Sequence, residues 1–301
     1  MKTILRNTFL SALSIITMGA FFLSCSKSSN NVAPPTPLGG YISSDSVAPG
    51  NLVAYWPFDG NANEQKANIT ANTVGATFTT GLRGQAYQGA TGAYSTLTLP
   101  SGNAFSSLGS FSVSFWYKLP SQQPAGNPGG IFFLTGASNL NELIYEIEPY
   151  SPVSGDSVKI HHGFNDLGSP DYKLFVMESY DTAAINQWVH VVTTYDGGSS
   201  TYTIYQNGAP IGNNSAFGQN ITPTPMWTDG TKTTALGNIS FASDPPTGIV
   251  IGTWPPTLFG VSPTLGANGC FLGQLDEFRV FNKALSSSEV TGLYLNGKSG
   301  R

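Results

Sequence analysis

The chain has 301 residues, of which 10% are charged and 12% aromatic, with a formal net charge of −4. So weak a basic content offers no footprint for nucleic acid. Scarce Lys and Glu beside abundant aromatic and β-branched residues suit an all-β exported domain.

At the N-terminus, Lys2 and Arg6 precede an apolar run from Phe9 to Leu23, the pattern of a secretory signal over residues 1–24. That run falls short of the ~20 predominantly apolar residues a spanning helix needs. Its end, FFLSC, resembles the lipobox of bacterial lipoproteins, in which the cut precedes a cysteine that takes the lipid. Cys25 is then the lipidation site, although Phe22 stands where the motif usually has leucine. A wider resemblance to lipoproteins of Bacteroidetes implies anchorage to the outer membrane. The residues after Cys25, SKSSNN, lack the acids of a surface-export signal, so the side of the membrane stays open. With Cys25 acylated, Cys270 has no partner and a disulfide framework is excluded. In NGCFLG it reads as a small buried hydrophobe.

Residues 25–50 have no apolar period and hold four prolines, which predicts a flexible linker between anchor and domain. The remainder, 51–301, has the size of one β sandwich. Its first strand is predicted over 51–58 and its second over 94–99. In the stretch SFSVSFWYKL, Phe111, Val113, Phe115 and Tyr117 share one face and Ser110, Ser112, Ser114 and Lys118 the other. Further strands are expected over 131–135, 142–148, 157–163, 172–178, 188–195, 201–206, 248–252 and 272–282. Turn clusters such as DGG, QNG and NPGG between them argue for two packed antiparallel sheets. Gly197 and Gly198 are expected to take positive φ in the hairpin joining the 188–195 and 201–206 strands.

Residues 213–247 are too long and polar for a simple turn. At the C-terminus, Ser286 with Glu289 makes a capping box, Val290, Leu293 and Tyr294 make an apolar stripe, and Gly297 supplies a stop. A short terminal helix should therefore dock on the sandwich.

Four stretches then stand in order: LVAYWPFDGNANE, FSVSFWYK, INQWVHVVTTYDGGSSTYTIYQNGAPIG and GQLDEFRVFNKALSSSEVTGLY. Together they resemble the laminin-G-like, concanavalin A-like lectin/glucanase superfamily, over nearly everything from 51 to 297. The resemblance implies an all-β, two-sheet antiparallel jelly roll. It also implies a domain that binds carbohydrate at the cell envelope.

Members of this superfamily often hold calcium between the opening motif and the closing strand. Here the corresponding ligands are Asp59, Asn61 and Asn63, with hard oxygens at alternate positions, and Asp276. The competing reading of Asp59 and Asn61 is an Asx-type turn. On a regular strand Asp276 shares a face with Phe278 and Val280, while Glu277 pairs with Arg279 on the other, so the two adjacent acids point apart. An exposed Glu277–Arg279 pair would contribute little.

Glu142, Glu146 and Glu148 lie on one strand face and resemble the catalytic strand of laminarinase-type glycosidases, with neither frame of that motif intact. They are the candidates for a hydrolase reading. His161 and His162 point to opposite faces, which makes a poor two-histidine metal site and predicts one buried and one surface ring. Trp56, Trp116 and Trp188 read as core or sheet-packing residues. Trp227 and Trp254, in proline-rich loops, are the candidate glycan-binding aromatics. The functional readings are thus a glycan-binding module, a glycoside hydrolase, or a protein-binding subunit of an outer-membrane complex.

Overall fold

The structure, a computed structural model, describes residues 35–123, 128–136, 142–148, 158–166, 173–181, 184–212, 223–228, 231–241, 244–255 and 269–301. The signal segment, Cys25 and residues 213–222 lie outside the described residues. Sixteen strands among them are β1 (Leu52–Trp56), β2 (Asn72–Val74), β3 (Thr77–Thr80), β4 (Gln85–Gln88), β5 (Tyr94–Thr98), β6 (Phe111–Lys118), β7 (Gly129–Thr135), β8 (Leu143–Ile147), β9 (Val158–Asp166), β10 (Lys173–Asp181), β11 (Val189–Asp196), β12 (Thr201–Gln206), β13 (Ala209–Ile211), β14 (Thr224–Pro225), β15 (Gly248–Ile251) and β16 (Gln274–Phe281), followed by helix α1 (Ser287–Lys298). No helix among the described residues is long and apolar enough to cross a membrane.

Two antiparallel sheets form the sandwich. One runs β13-β12-β11-β6-β16-β4-β3, with β1 also paired to β16 and β14 to β12; the other runs β10-β9-β8-β7-β15-β5-β2. Period-two alternation explains how they pack: Phe111, Val113, Phe115 and Tyr117 of β6 face Ile131, Phe132 and Leu134 of β7 and Leu143, Tyr145 and Ile147 of β8 across the core. At its centre the Phe278 ring stacks on Phe132 at 4.4 Å and on Phe115 at 5.4 Å, while Trp56 meets both Phe132 and Phe278 edge-on. Offset and edge-on geometries of this kind add to the area they bury. Cys270 is buried, with Gly92 N–H directed at its sulfur.

The outer face of the nine-stranded sheet is covered. Val290 and Leu293 of α1 pack with Val47, Val192, Tyr205, Phe281 and Leu285, and Trp116 stacks on His190 at 4.7 Å and Tyr294 at 5.7 Å. Ser286 accepts from Glu289 N–H and Glu289 from Ser286 N–H, as the capping box predicts. Gly297 does not stop the helix, which continues to Lys298. Its missing side chain instead admits Trp116, whose Nε1 would lie 2.8 Å from a Cβ at 297.

Three other expectations are corrected. The predicted linker is shorter than 25–50, because Thr36 onward belongs to the folded unit. Val47 is buried, Tyr41 packs beside it, and both the backbone N–H and the hydroxyl of Ser44 donate to the Arg301 carbonyl. In the β11–β12 hairpin it is Ser200, at φ 52°, that takes the left-handed conformation rather than Gly197 or Gly198. Gly197 serves close approach, since a Cβ there would lie 2.2 Å from Asn238 Oδ1.

The third correction concerns Asp276 and Glu277. Register on β6 shifts between Asp276, opposite Trp116, and Arg279, opposite Ser114, and Glu277 sits at φ 52°. One extra residue in β16 therefore forms a bulge. It turns Asp276, Glu277 and Arg279 all away from the core while Leu275, Phe278 and Val280 stay inside it. The two acids do not point apart; both engage Arg83, Asp276 through the backbone N–H at 3.1 Å and Glu277 through the guanidinium at 3.4 Å.

Candidate functional site

With α1 and the N-terminal segment on one outer face, the outer face of the seven-stranded sheet is the one that presents chemistry. Residues of β8 alternate: Leu143, Tyr145 and Ile147 enter the core, while Ile144 and Glu146 point outward with Glu142 and Glu148 at the strand ends. Phe133, Ile144 and Val250 make a buried apolar patch there, and Trp254 packs against it, its ring edge-on to Phe133 at 5.9 Å. Trp254 is half-buried.

Across from Glu146, in register on β9, stands His161. Its Nδ1 lies 2.8 Å from Glu146 Oε1 and 2.7 Å from Glu148 Oε1. Burial pulls the imidazole toward neutrality, but the two carboxylates outweigh it and push its pKa up to about 9. Burial raises the Glu146 carboxyl, whereas the His161 bond holds Glu148 below the usual range. Lys159 and Glu178 pair at 2.8 Å on the same face. Glu142 is fully buried, and burial, helped by the Asp244 charge, lifts it to about 8. Neither of its carboxylate oxygens has a hydrogen-bond partner among the described residues.

The histidine pair resolves differently from expectation. His162 is buried in the core with Nε2 at 2.9 Å from Ser179 Oγ, and burial drops it to about 3. His161 is not a surface ring but the centre of the carboxylate cluster, with 18% of its side chain exposed. The sequence pattern placed Glu146 and Glu148 on one face; it could not supply the β8–β9 register that brings His161 between them.

Of the expected calcium ligands, Asp59 and Asp276 both hold the backbone of the β3–β4 turn at one rim. Asp59 Oδ1 accepts from Gln85 N–H at 2.7 Å, and Asp276 Oδ2 accepts from Leu82 N–H at 2.7 Å. Asp276 Oδ1 is buried with no hydrogen-bond partner among the described residues, and burial raises its carboxyl to about 8. An orphaned buried carboxylate oxygen beside a second acid fits a cation. Asn61 and Asn63 fit less well, because Asn61 Oδ1 accepts from Asn63 N–H and Asn63 Oδ1 from Ala71 N–H, both at 2.9 Å. Glu64 likewise closes the loop, taking backbone N–H groups of Tyr55, Lys66 and Ala67.

Behind this rim lies an ion network that sequence reasoning missed. Arg279, with 3% of its side chain exposed, bonds Glu277 at 2.5 Å and Asp45 at 2.9 Å. Arg83 also bonds Asp45, at 2.6 Å, and the Tyr55 hydroxyl donates to Glu277 at 2.6 Å. The expected exposed Glu277–Arg279 pair is therefore a buried one.

Trp227 belongs elsewhere. It is half-buried in a bridge to Ala235, just past β14 at the edge of the nine-stranded sheet, between the core residues Met226 and Leu236. The two candidate aromatics thus flank different sheets. Trp188 is half-buried at the start of β11, while Trp56 and Trp116 are buried as expected.

Solved neurotoxin binding domains share the fold. The binding domain of botulinum neurotoxin serotype G superposes with TM-score 0.52 and 15% identity, over 81% of this chain and 50% of that one. The serotype D ligand-binding domain in complex with N-acetylneuraminic acid gives 0.52 and 15%, over 84% and 51%. Domain 4 of an extracellular arabinanase from Geobacillus stearothermophilus, in complex with arabinotriose, gives 0.49 and 20%, over 81% and 98%. The chain spans about half the length of the neurotoxin structures it matches. No curated protein sequence matches it. The family model described as concanavalin A-like lectin/glucanases superfamily matches residues 91–242, about half of the sequence, and with the two-sheet jelly roll around it the chain belongs to that superfamily.

Proposed function

We propose that this is a non-catalytic glycan-binding domain whose ligand meets the outer face of the seven-stranded sheet. The carrying observation is that Trp254, half-buried on Phe133, stands beside outward-facing acids and His161 on the face that α1 does not cover. A flat indole suits the CH face of a sugar ring, and ionised side chains nearby suit its hydroxyls. A fold-mate that carries N-acetylneuraminic acid supports the reading by analogy of fold alone.

The hydrolase reading is disfavoured by geometry. A retaining glycosidase holds two carboxyls ~5 to 5.5 Å apart with the scissile bond between them. Here Glu146 and Glu148 converge on one imidazole nitrogen, so the ring occupies the gap a sugar would need.

A glycan array on the purified chain, with and without chelator, tests the assignment. Retention should be lost in Trp254→Ala and kept in Trp227→Ala; full retention by Trp254→Ala, or no glycan retained by the wild type, overturns it. The reading includes lipid anchorage to the outer membrane through Cys25, supported by the lipobox-like FFLSC. A Cys25→Ala variant that still fractionates with membranes would remove that part.

A further inference from the structure

We propose that His161, Glu146 and Glu148 form a binding site for a divalent transition-metal ion, distinct from the calcium-type rim at Asp59 and Asp276. The three offer one nitrogen and two carboxylate oxygens that all lie within 4.8 Å of one another, the one such group among the described residues. They come from two adjacent strands in fixed register, so the backbone and not a loop sets their spacing.

Proton bookkeeping points to a cation. His161 Nδ1 stands 2.8 Å from one carboxylate oxygen and 2.7 Å from another, yet an imidazole nitrogen carries at most one proton. One N–H cannot be shared linearly between two acceptors, so one carboxylate is left poorly served. Glu146 has only 3% of its side chain exposed, so beyond His161 and the Trp254 indole its carboxylate has little water to share its charge. With the ring protonated the cluster keeps one net negative charge in a largely buried place. A dication on a neutral ring brings the charge to zero.

Ligand chemistry narrows the ion. One imidazole with two carboxylates suits zinc or manganese, whereas calcium takes an all-oxygen set. Bonds of about 2.1 Å in a tetrahedral site put ligand atoms about 3.4 Å apart, so the carboxylates need back away from Nδ1 by only roughly 0.6 Å. Three protein ligands leave a position open for water or for an oxygen of a bound molecule.

The test uses the untagged full chain, stripped with chelator and dialysed against Zn2+, Mn2+ or Ca2+ before metal analysis and calorimetric titration. One equivalent of Zn2+ or Mn2+ should bind. Glu148→Gln, at a strand end with 18% of the side chain exposed, should weaken it at least about 10- to 100-fold, the loss seen when mere outer partners of a metal site are removed. His161→Gln should abolish it, and Asp59→Asn should leave it unchanged. Failure of the wild type to take up either metal overturns the proposal. So does uptake that survives Glu148→Gln intact, or that disappears in Asp59→Asn. If His161→Gln does not fold, Glu148→Gln decides alone.

Discussion

Replacing Glu277 with Gln keeps the shape of the bulge residue and removes one charge from a pair in which Glu277 is 1% and Arg279 3% exposed. Breaking a buried pair by neutralising one partner typically costs about 3–5 kcal/mol, because the other charge is left in a low-dielectric place. Asp45, 2.9 Å from the Arg279 guanidinium, keeps part of the compensation, which sets the expectation near the lower end, at about 3 kcal/mol. For a domain of this size each kcal/mol moves the midpoint by about 2–4 °C, so thermal unfolding should shift down by roughly 6–12 °C. Urea denaturation of Glu277→Gln, Arg279→Met and the double variant closes the cycle. The double variant should lose about 1–3 kcal/mol less than the sum of the singles, as residues in one ion network do. A loss below about 1 kcal/mol for Glu277→Gln, with additive singles, would refute the reading of this pair as buried and mutually compensating.

Gly297→Ala tests the close approach of α1 to Trp116. Alanine raises helix propensity by about 1 kcal/mol, but a methyl 2.8 Å from the indole nitrogen should overpack the contact by about 1–3 kcal/mol. A urea midpoint at or above wild type would contradict that packing. The acid side of the stability curve tests His190, fully buried with Nε2 at 2.9 Å from Ser114 Oγ and held down at about 3 by burial. The unfolded chain takes up this proton near pH 6.5 and the folded chain does not. Stability is therefore intact above pH 6.5 and falls as pH drops toward 3, by about 1.4 kcal/mol per unit from this ring. Buried Asp181, raised to about 7, acts in the opposite sense between pH 4 and 7, so the informative quantity is a difference. His190→Gln should show a shallower acid loss than wild type by that amount per unit; parallel curves would exclude a buried neutral ring. For the rim, millimolar Ca2+ should raise the unfolding midpoint of the wild type and not of Asp276→Asn, and equal responses would place the ion elsewhere.

Much of the fold was readable because its strands alternate strictly. Phe111 to Tyr117 declare an inner and an outer face by spacing alone, and the strands expected at 142–148, 188–195 and 272–282 are β8, β11 and β16. The short strands β2, β3, β4 and β13 were not legible: three or four residues give too few alternations, and partners elsewhere in the chain specify them. The bulge escaped for a physical reason. A single left-handed residue, Glu277, breaks the period of two without leaving a glycine to mark it, and every face assignment upstream of it inverts. The His161 cluster was half legible, since Glu146 and Glu148 share a face by spacing while their partner depends on strand register. Trp254 was legible only as an unplaced aromatic.

The bond from Ser44 to the Arg301 carbonyl, with Thr36 accepting from the Arg301 guanidinium, ties the first folded residues to the last ones beside α1. Anything attached upstream of Thr36 consequently pulls on the back of the sandwich. A load applied at Thr36 is shared with the C-terminal residues and the helix seam and does not pass through β8 and β9.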